Sequence, residues 1–297
     1  MKHVTVVSGK GGTGKTTLTA FWGSLLADHV MVDADVDAAN LPLVFRHTDE
    51  PDNAYFGADR AVVDQELCAH CGTCADACRF DAFRVTIGDD GTSYYTVDPL
   101  ACEGCTLCTL VCPLEGITMQ AHESGTWCIA ETDYAPMVHA SLSVGEGNSG
   151  KLVTEVRRAA EGIAIEQGRD LILIDGPPGI GCQTTAAING VDLVVVVTEP
   201  TLSGIHDMER LLEVINRMGI PAVVVLNKAD LAPQHEQTAR NAAAKHGAEL
   251  IGSVPFIEDF PRAMAMGTLL TRPPEGVPER MRAIWAEVVS RIPEQVY

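Results

Sequence analysis

The stretch of sequence that decides the fold lies at the start of the chain, where residues 2–17 read KHVTVVSGKGGTGKTT. The apolar run from Lys2 to Ser8 predicts a buried parallel strand, residues 9–14 a glycine-rich loop, and Lys15 to Ala27 a helix. Gly9 to Thr16 fit the pattern G-x-x-x-x-G-K-[ST] between a strand and a helix, which is the context that identifies a phosphate-binding loop. Glycines let backbone N–H groups turn towards phosphate oxygens, and the N-terminus of the following helix favours negative charge.

The residue types in this loop predict separate roles. Lys15 is expected to reach the β and γ phosphates, the Thr16 hydroxyl to bind Mg²⁺, and Thr17 to contact the α-phosphate. The predicted nucleotide-binding residues of the loop are Gly9, Lys10, Gly11, Gly12, Thr13, Gly14, Lys15, Thr16 and Thr17. Such a loop predicts a nucleoside triphosphatase in which catalysis consists of positioning and charge stabilisation.

A second lysine, Lys10, makes the loop resemble the deviant Walker A loop of the MinD and nitrogenase iron protein superfamily. In that family this lysine contacts nucleotide across a homodimer interface, so the resemblance implies that ATP binding and homodimer formation are linked. Residues 32–41, VDADVDAANL, resemble switch I of the family. The resemblance implies that Asp35 orients the attacking water and that Asp33 lies near the metal.

Residues 175–179, DGPPG, resemble switch II of the same family. The resemblance implies that Asp175 holds Mg²⁺ through water and that the N–H of Gly179 senses the γ-phosphate. Residues 227–230, NKAD, look like the N-K-x-D of GTPases, in which the aspartate pairs with guanine. In the MinD-like family an asparagine at this strand end contacts adenine, so Asn227 is expected to bind ATP, and GTP is the open alternative.

Ten cysteines in a chain of 297 residues predict metal ligands rather than disulfides. Eight of them form the series Cys68-x2-Cys71-x2-Cys74-x3-Cys78 and Cys102-x2-Cys105-x2-Cys108-x3-Cys112, which is the bacterial two-cluster ferredoxin spacing given twice. In that arrangement the fourth cysteine of each motif ligates the other cluster. One [4Fe–4S] cluster is therefore expected on Cys68, Cys71, Cys74 and Cys112, and a second on Cys78, Cys102, Cys105 and Cys108. Two zinc ions are the rival reading.

Strands alternate with helices on both sides of the cysteine block, which is typical of a parallel sheet covered on both faces. The fold class predicted is α/β, with a mostly parallel P-loop NTPase domain and an inserted α+β domain of the bacterial ferredoxin type. The expected boundaries are residues 1–59 and 129–297 for the ATPase domain and residues 60–128 for the insert. The whole chain resembles MinD-superfamily ATPases that contain such a ferredoxin insert.

The excess of acidic side chains indicates which kinds of partner the chain can bind. Forty acidic side chains oppose 21 basic ones, giving a formal net charge of −19. A surface that follows a phosphate backbone needs many cations, so nucleic-acid binding is not expected. The expected client is an electron-transfer or metallocluster protein with a basic docking patch.

No cleavable signal and no apolar run of about 20 residues are seen, and the final helix has no basic excess. A cytoplasmic protein without a stable membrane anchor is therefore expected.

Together these features predict an ATP-binding and ATP-hydrolysing iron–sulfur protein. It would couple nucleotide state to electron transfer or to the assembly of iron–sulfur or other metal clusters. A MinD/ParA-like spatial organiser and a GTP-using redox-sensing switch are the alternatives. Cys182 lies just after switch II, where the nitrogenase iron protein carries a cluster ligand, but Asn148 stands at the place of that family's second cysteine. Cys128 and Cys182 are expected to be packed thiols, with a functional role as the alternative for Cys128 and a metal-site or redox role as the alternative for Cys182.

Overall fold

The computed structural model describes residues 1–265, 269–271 and 273–293, and the chain divides into two units. Unit 1 comprises Met1–Asn53, Trp127–Ser141 and Ser149–Tyr297, and unit 2 comprises Ala54–Thr126 and Leu142–Asn148. Among the described residues, no helix is both long and apolar enough to cross a membrane.

The strands, in chain order, are β1 (Lys2–Ser8), β2 (His29–Asp33), β3 (His47–Asp49), β4 (Asn53–Phe56), β5 (Arg60–Val63), β6 (Phe83–Ile87), β7 (Ser93–Val97), β8 (Ile117–Gln120), β9 (Glu123–Thr132), β10 (Pro136–Leu142), β11 (Leu171–Pro178), β12 (Leu193–Thr198), β13 (Ala222–Asn227) and β14 (Glu249–Val254). The α-helices are α1 (Lys15–Leu25), α2 (Thr73–Ala77), α3 (Leu107–Val111), α4 (Ser149–Gln167), α5 (Cys182–Ile188), α6 (Leu202–Arg217), α7 (Glu236–Lys245), α8 (Asp259–Ala265) and α9 (Val277–Val289). Short 3₁₀ turns cover Pro42–Val44, Ala229–Leu231 and Pro233–His235.

The main sheet has the order β14-β13-β12-β1-β11-β2-β10-β9-β3. The strands from β14 to β2 pair in parallel, and β10 is parallel to β2, whereas the edge strand β3 is antiparallel to β9. The prediction of a mostly parallel α/β sheet is therefore confirmed. Parallel strands bring their carboxyl ends to one edge, and this edge carries the loops after β1, β2 and β11.

The core of unit 1 lies between this sheet and the helices packed on it. The rings of Trp22 on α1 and Trp285 on α9 are 5.4 Å apart, and the Trp22 indole N–H donates to the Met281 carbonyl at 3.1 Å. Met281, Trp285 and Val288 of α9 are buried, whereas Val289 is 49% exposed. The apolar face of α9 therefore packs against the core of unit 1.

Unit 2 is built from short paired elements. Strands β5 and β8 pair antiparallel, β6 and β7 form a hairpin, and α2 and α3 contain the third cysteine of each motif, Cys74 and Cys108. The predicted insert differs from unit 2 at both ends. Residues 142–148 also belong to unit 2, where Glu146 pairs with Arg60 and lies 3.1 Å from Nε2 of His122.

Candidate functional site

The phosphate-binding loop joins β1 to α1, and its shape depends on Gly14. Gly14 has a φ of 95°, in the left-handed region that glycine adopts without strain. A Cβ atom at this position would lie 2.3 Å from Nδ2 of Asn227. That Asn227 amide donates to the Thr13 carbonyl at 2.7 Å. Asn227, predicted as a base contact, therefore also fixes the loop from the end of β13.

Lys15, at the start of α1, is buried among carboxylates. Its Nζ lies 3.2 Å from Oδ2 of Asp35 and 3.8 Å from Oδ2 of Asp175. Burial acts to lower the pKa of Lys15, but the charges of Asp175, Asp35 and Asp33 outweigh it and raise the pKa. The raised pKa keeps the ammonium group charged.

Asp175 lies in β11 beside the first turn of α1. Its Oδ2 accepts a hydrogen bond from Thr16 Oγ1 at 2.6 Å, and its Oδ1 accepts one from Thr19 Oγ1 at 3.0 Å. Burial raises the pKa of this carboxyl, against the effect of Lys15 and the two hydroxyls. A hydroxyl next to a carboxylate is an oxygen pair that Mg²⁺ accepts as ligands, so the structure brings together two of the three side chains predicted at this ion, Thr16 and Asp175.

Asp33, predicted to lie near the metal, has both oxygens engaged by backbone groups. Oδ1 accepts from the Asp35 N–H at 3.0 Å, and Oδ2 accepts from the Leu41 N–H at 2.9 Å. Burial and the neighbouring Asp175 raise the pKa of Asp33 to about 7. In this structure Asp33 fixes the loop that carries Asp35, and a role at Mg²⁺ stays a prediction.

Glu199, which directly follows β12, is a site residue that sequence reasoning missed. Its carboxylate forms ion pairs with both Lys10 and Lys228. Burial acts to raise the pKa of Glu199, but the hydrogen bonds from the two lysines outweigh it and lower the pKa. Lys228 also donates to the Gly12 carbonyl at 2.8 Å. The only sequence signal for this role is an acidic residue at the end of a strand. Glu199 reaches the loop because β12 lies next to β1 in the sheet.

A cavity of about 520 Å³ opens over the loop. Its lining includes the predicted residues Gly11, Gly12, Gly14, Lys15, Thr16, Thr17, Asp35 and Asn227. Phe256, Ile257 and Phe260 form an apolar wall that was not predicted, although their position after β14 places them at the same edge of the sheet. The size and mixed lining suit a nucleotide.

Two other predicted contacts are engaged within the chain. The Gly179 N–H donates to the Ser8 carbonyl at 2.8 Å, so it would have to leave that partner to contact a phosphate. Oδ1 of Asp230 accepts from the Phe256 N–H at 2.5 Å. One oxygen of the carboxylate that GTPases use for guanine is therefore occupied by the backbone.

In unit 2 the eight cysteines of the two motifs line two small cavities. One cavity is lined by Cys68, Cys71, Cys74 and Cys112, and the other by Cys78, Cys102, Cys105 and Cys108. Each cavity thus takes three thiols from one motif and the fourth from the other motif. The remaining lining is mainly apolar, for example Val63 and Ile117 in the first cavity.

The donor groups in these cavities fit a [4Fe–4S] cluster. All ten cysteines carry free thiols. Backbone N–H groups point at two sulfurs, from His70 to Cys68 Sγ at 3.4 Å and from Gly116 to Cys112 Sγ at 3.3 Å. Hydrogen bonds of this kind tune the potential of a cluster. Sets of four thiols also suit zinc, which is the alternative metal for these cavities.

The two remaining cysteines have different surroundings. Cys128 is buried on β9, and burial with the nearby Asp49 raises the pKa of its thiol to about 11. Cys182 is exposed at the start of α5, with its Sγ 3.8 Å from the Ser149 hydroxyl. The side chain beside Cys182 is therefore a serine hydroxyl and not a second thiol.

Comparison with known proteins gives a family match over most of the chain. The model of the CobQ/CobB/MinD/ParA nucleotide binding domain matches residues 4–270. The chain is also 30% identical over 288 residues to the uncharacterized protein MJ0578 of Methanocaldococcus jannaschii, covering 96% of this chain and 95% of that protein.

Solved structures share the fold at lower identity. The cell division ATPase MinD of Pyrococcus furiosus has a TM-score of 0.58 and 20% identity, covering 97% of this chain and 98% of that one. The septum site-determining protein MinD of Pyrococcus horikoshii, solved with Mg-ADP, has a TM-score of 0.56 and 18% identity, covering 99% of both chains. These likenesses concern the fold alone.

Proposed function

Because the chain belongs to the CobQ/CobB/MinD/ParA family of nucleotide-binding domains, we propose that it binds and hydrolyses ATP with Mg²⁺ in unit 1 and carries two [4Fe–4S] clusters in unit 2. Its nucleotide state would govern electron transfer, or the assembly of iron–sulfur or other metal clusters on a client protein. The observation that carries this proposal is the division of eight thiols into two cavities, each with three cysteines from one motif and one from the other.

In unit 1 the ATPase proposal rests on the charges around Lys15. Asp35 and Asp175 hold the ammonium group in the structure. A γ-phosphate would compete for Lys15 and free the Asp35 carboxylate to orient a water molecule. Thr16 and Asp175 would hold Mg²⁺, which when bound neutralises phosphate charge. Lys15 positions the same phosphate.

Lys10 links hydrolysis to dimer formation in this proposal. In the single chain it is paired with Glu199 and lies 3.4 Å from Ser203 Oγ. We propose that Lys10 leaves Glu199 to contact the nucleotide of a second copy. ATP would then favour a homodimer.

In unit 2 the cysteine sulfurs would hold the clusters, as Cys68, Cys71, Cys74 and Cys112 in one set and Cys78, Cys102, Cys105 and Cys108 in the other. A bound cluster supplies a one-electron redox centre. The surrounding apolar side chains limit water, and the N–H groups of His70 and Gly116 stabilise negative charge on two sulfurs.

The test is electron paramagnetic resonance of anaerobically purified, chemically reduced protein with and without Mg-ATP. We expect signals from two reduced cubanes that change when Mg-ATP is added. The Lys15→Ala variant should keep the signals and lose the response, whereas Lys245→Ala, a change at a 71% exposed side chain, should keep both. Signals that ignore nucleotide in the unchanged protein would refute the coupling, and zinc in place of iron would refute the clusters.

A second candidate is a spatial organiser of the MinD/ParA kind, and the fold comparisons favour it. Both solved structures described above are MinD proteins, one a cell division ATPase and one a septum site-determining protein. Fluorescence microscopy of the tagged protein in cells separates the candidates. ATP-dependent patterns that persist when the eight motif cysteines are replaced would support the organiser, and a uniform distribution would refute it.

The GTP-using switch is tested by competition. We expect ATP to displace a fluorescent nucleotide at lower concentration than GTP, because Asp230 already accepts a hydrogen bond from the Phe256 backbone. A preference for GTP would reverse this assignment.

A further inference from the structure

Three neighbouring strands of unit 1 bring two imidazoles, a carboxylate and a thiol to one place. His47 and Asp49 are two residues apart on β3, so their side chains share a face of the sheet. Asp49 is opposite Ala130 on β9, and Cys128, two residues from Ala130, lies diagonally on the same face. His139 stands on β10, the next strand of the sheet.

The distances among His47, Asp49 and His139 are those of a ligand set, and the Cys128 thiol lies beside His139, outside that group of three. His139 Nε2 lies 3.2 Å from Asp49 Oδ1 and 3.1 Å from Cys128 Sγ, and His47 Nε2 lies 3.5 Å from the same Asp49 oxygen. The ligand atoms of His47, Asp49 and His139 all lie within 4.8 Å of one another. Tetrahedral zinc, with bonds of about 2.0 to 2.3 Å, separates its ligand atoms by about 3.3 to 3.7 Å.

The hydrogen bonding of His47 points to a cation at this place. Its Nδ1 lies 3.0 Å from the Phe45 carbonyl oxygen, which can only accept, so Nδ1 carries the proton. In the neutral ring, Nε2 then presents a lone pair towards the Asp49 carboxylate. Histidines that bind metals usually donate their other ring N–H to a carbonyl or carboxylate in this way. The Nε2 lone pair and the Asp49 carboxylate repel each other, and a proton on Nε2 would also remove this repulsion. An ion-pair network without a metal is therefore the competing explanation.

We propose that His47, Asp49 and His139, with Cys128 as the fourth ligand, bind one Zn²⁺ ion. Mixed imidazole, carboxylate and thiolate donors suit zinc among the common divalent ions. Binding at Cys128 forms a Zn–S bond and releases the thiol proton to solvent. The site belongs to unit 1 and uses none of the eight motif cysteines, so it is independent of the proposed clusters.

The ion would tie the edge strand β3 to β9 and β10. With three residues, β3 has few backbone hydrogen bonds of its own to hold it. A metal bond from each of three adjacent strands fixes their register at the edge of the sheet. Asp49 is 44% exposed and His139 is 18% exposed, so an ion can enter from solvent.

The test uses the anaerobic full-length protein with its iron content measured. It is incubated with ZnSO₄, desalted and analysed for zinc per chain, and X-ray absorption at the zinc edge reports the ligand atoms. We expect one zinc per chain with about three N/O ligands at about 2.0–2.1 Å and one sulfur at about 2.3 Å. The variants His139→Asn and Asp49→Asn should each lose this zinc with unchanged iron and unchanged circular dichroism. Cys128→Ser should lose the sulfur contribution.

His122→Asn is the matched control, because His122 forms one pair with Glu146 and belongs to no three-residue group of this kind among the described residues. It should keep the zinc. A zinc shell of sulfur alone would place the ion in the cysteine cavities and overturn the proposal. Failure to retain zinc, or equal zinc in the His139 and Asp49 variants and the unchanged protein, would overturn it in favour of an ion-pair network.

Discussion

Replacing cysteines in pairs distinguishes a crossed ligand set from an uncrossed one. Cys68→Ala with Cys78→Ala removes two thiols of the first motif, and because these line different cavities, each cavity loses one of its four. A protein with two [4Fe–4S] clusters holds about eight iron atoms per chain. We expect this pair to reduce the iron content to about zero, because each cavity would keep only three of its four thiols.

The complementary pair gives the opposite expectation. Cys68→Ala with Cys112→Ala removes one thiol from each motif, but both line the same cavity. About four iron atoms should remain. The double variant should also lose no more iron than either single variant, because each single change already empties that cavity.

Iron analysis and electron paramagnetic resonance of the reduced variants check these numbers. Cys182→Ala is the control, since Cys182 is exposed and lies outside both cavities, and it should keep about eight iron atoms. If each motif held its own cluster, the two double variants would exchange results. About four iron atoms with Cys68 and Cys78 replaced, and none with Cys68 and Cys112 replaced, would refute the crossed arrangement.

Three further predictions concern unit 1. Burial raises the pKa of Asp33 to about 7, so the folded state keeps a proton that the unfolded state has lost above its own lower pKa. Urea unfolding of nucleotide-free protein should therefore show that the free energy of unfolding falls by up to about 1.4 kcal/mol per pH unit between pH 5 and 7. The variant Asp33→Asn should flatten this slope. An unchanged slope in the variant would mean that another group causes the pH dependence. Glu199→Gln removes the ion pair that holds Lys10, so the ATP-dependent dimer should tighten by about two- to fivefold in light scattering, and an unchanged or weaker dimer would contradict this. Gly14→Ala should weaken ATP binding by about tenfold or more in calorimetry, because φ is 95° and a Cβ would collide, whereas Gly162→Ala, with open space around it, should not.

The loop and its flanking elements could be predicted because their signals are local. The apolar run of β1, the glycines and the lysine that begins α1 are consecutive in the chain, and the observed α1 starts at the predicted Lys15. The grouping of Lys15 with Asp35 and Asp175 followed from family resemblance, and the structure brings these side chains within 4 Å. The parallel order of β1, β11 and β2 supplies the reason.

Contacts that depend on strand order could not be predicted. Glu199 meets Lys10 only because β12 lies beside β1. His47 and His139 show no short spacing in the sequence, and they meet because β3, β9 and β10 are consecutive in the sheet. The wall of Phe256 and Phe260 likewise needs the position of β14 before it can be assigned to the cavity.

Unit 2 has a very small apolar interior, and this bears on the lifetime of the protein in a cell. Its described core cluster contains Ala61, Cys74, Phe83 and Ile117 as buried residues, with further cysteines packed around them. A core of this size stabilises little without an inorganic centre. If unit 2 holds the proposed clusters, a chain synthesised during iron starvation would leave this region open to proteases while unit 1 kept its own core. We expect the amount of intact protein to follow the iron supply of the cell, through turnover and without any change in transcription.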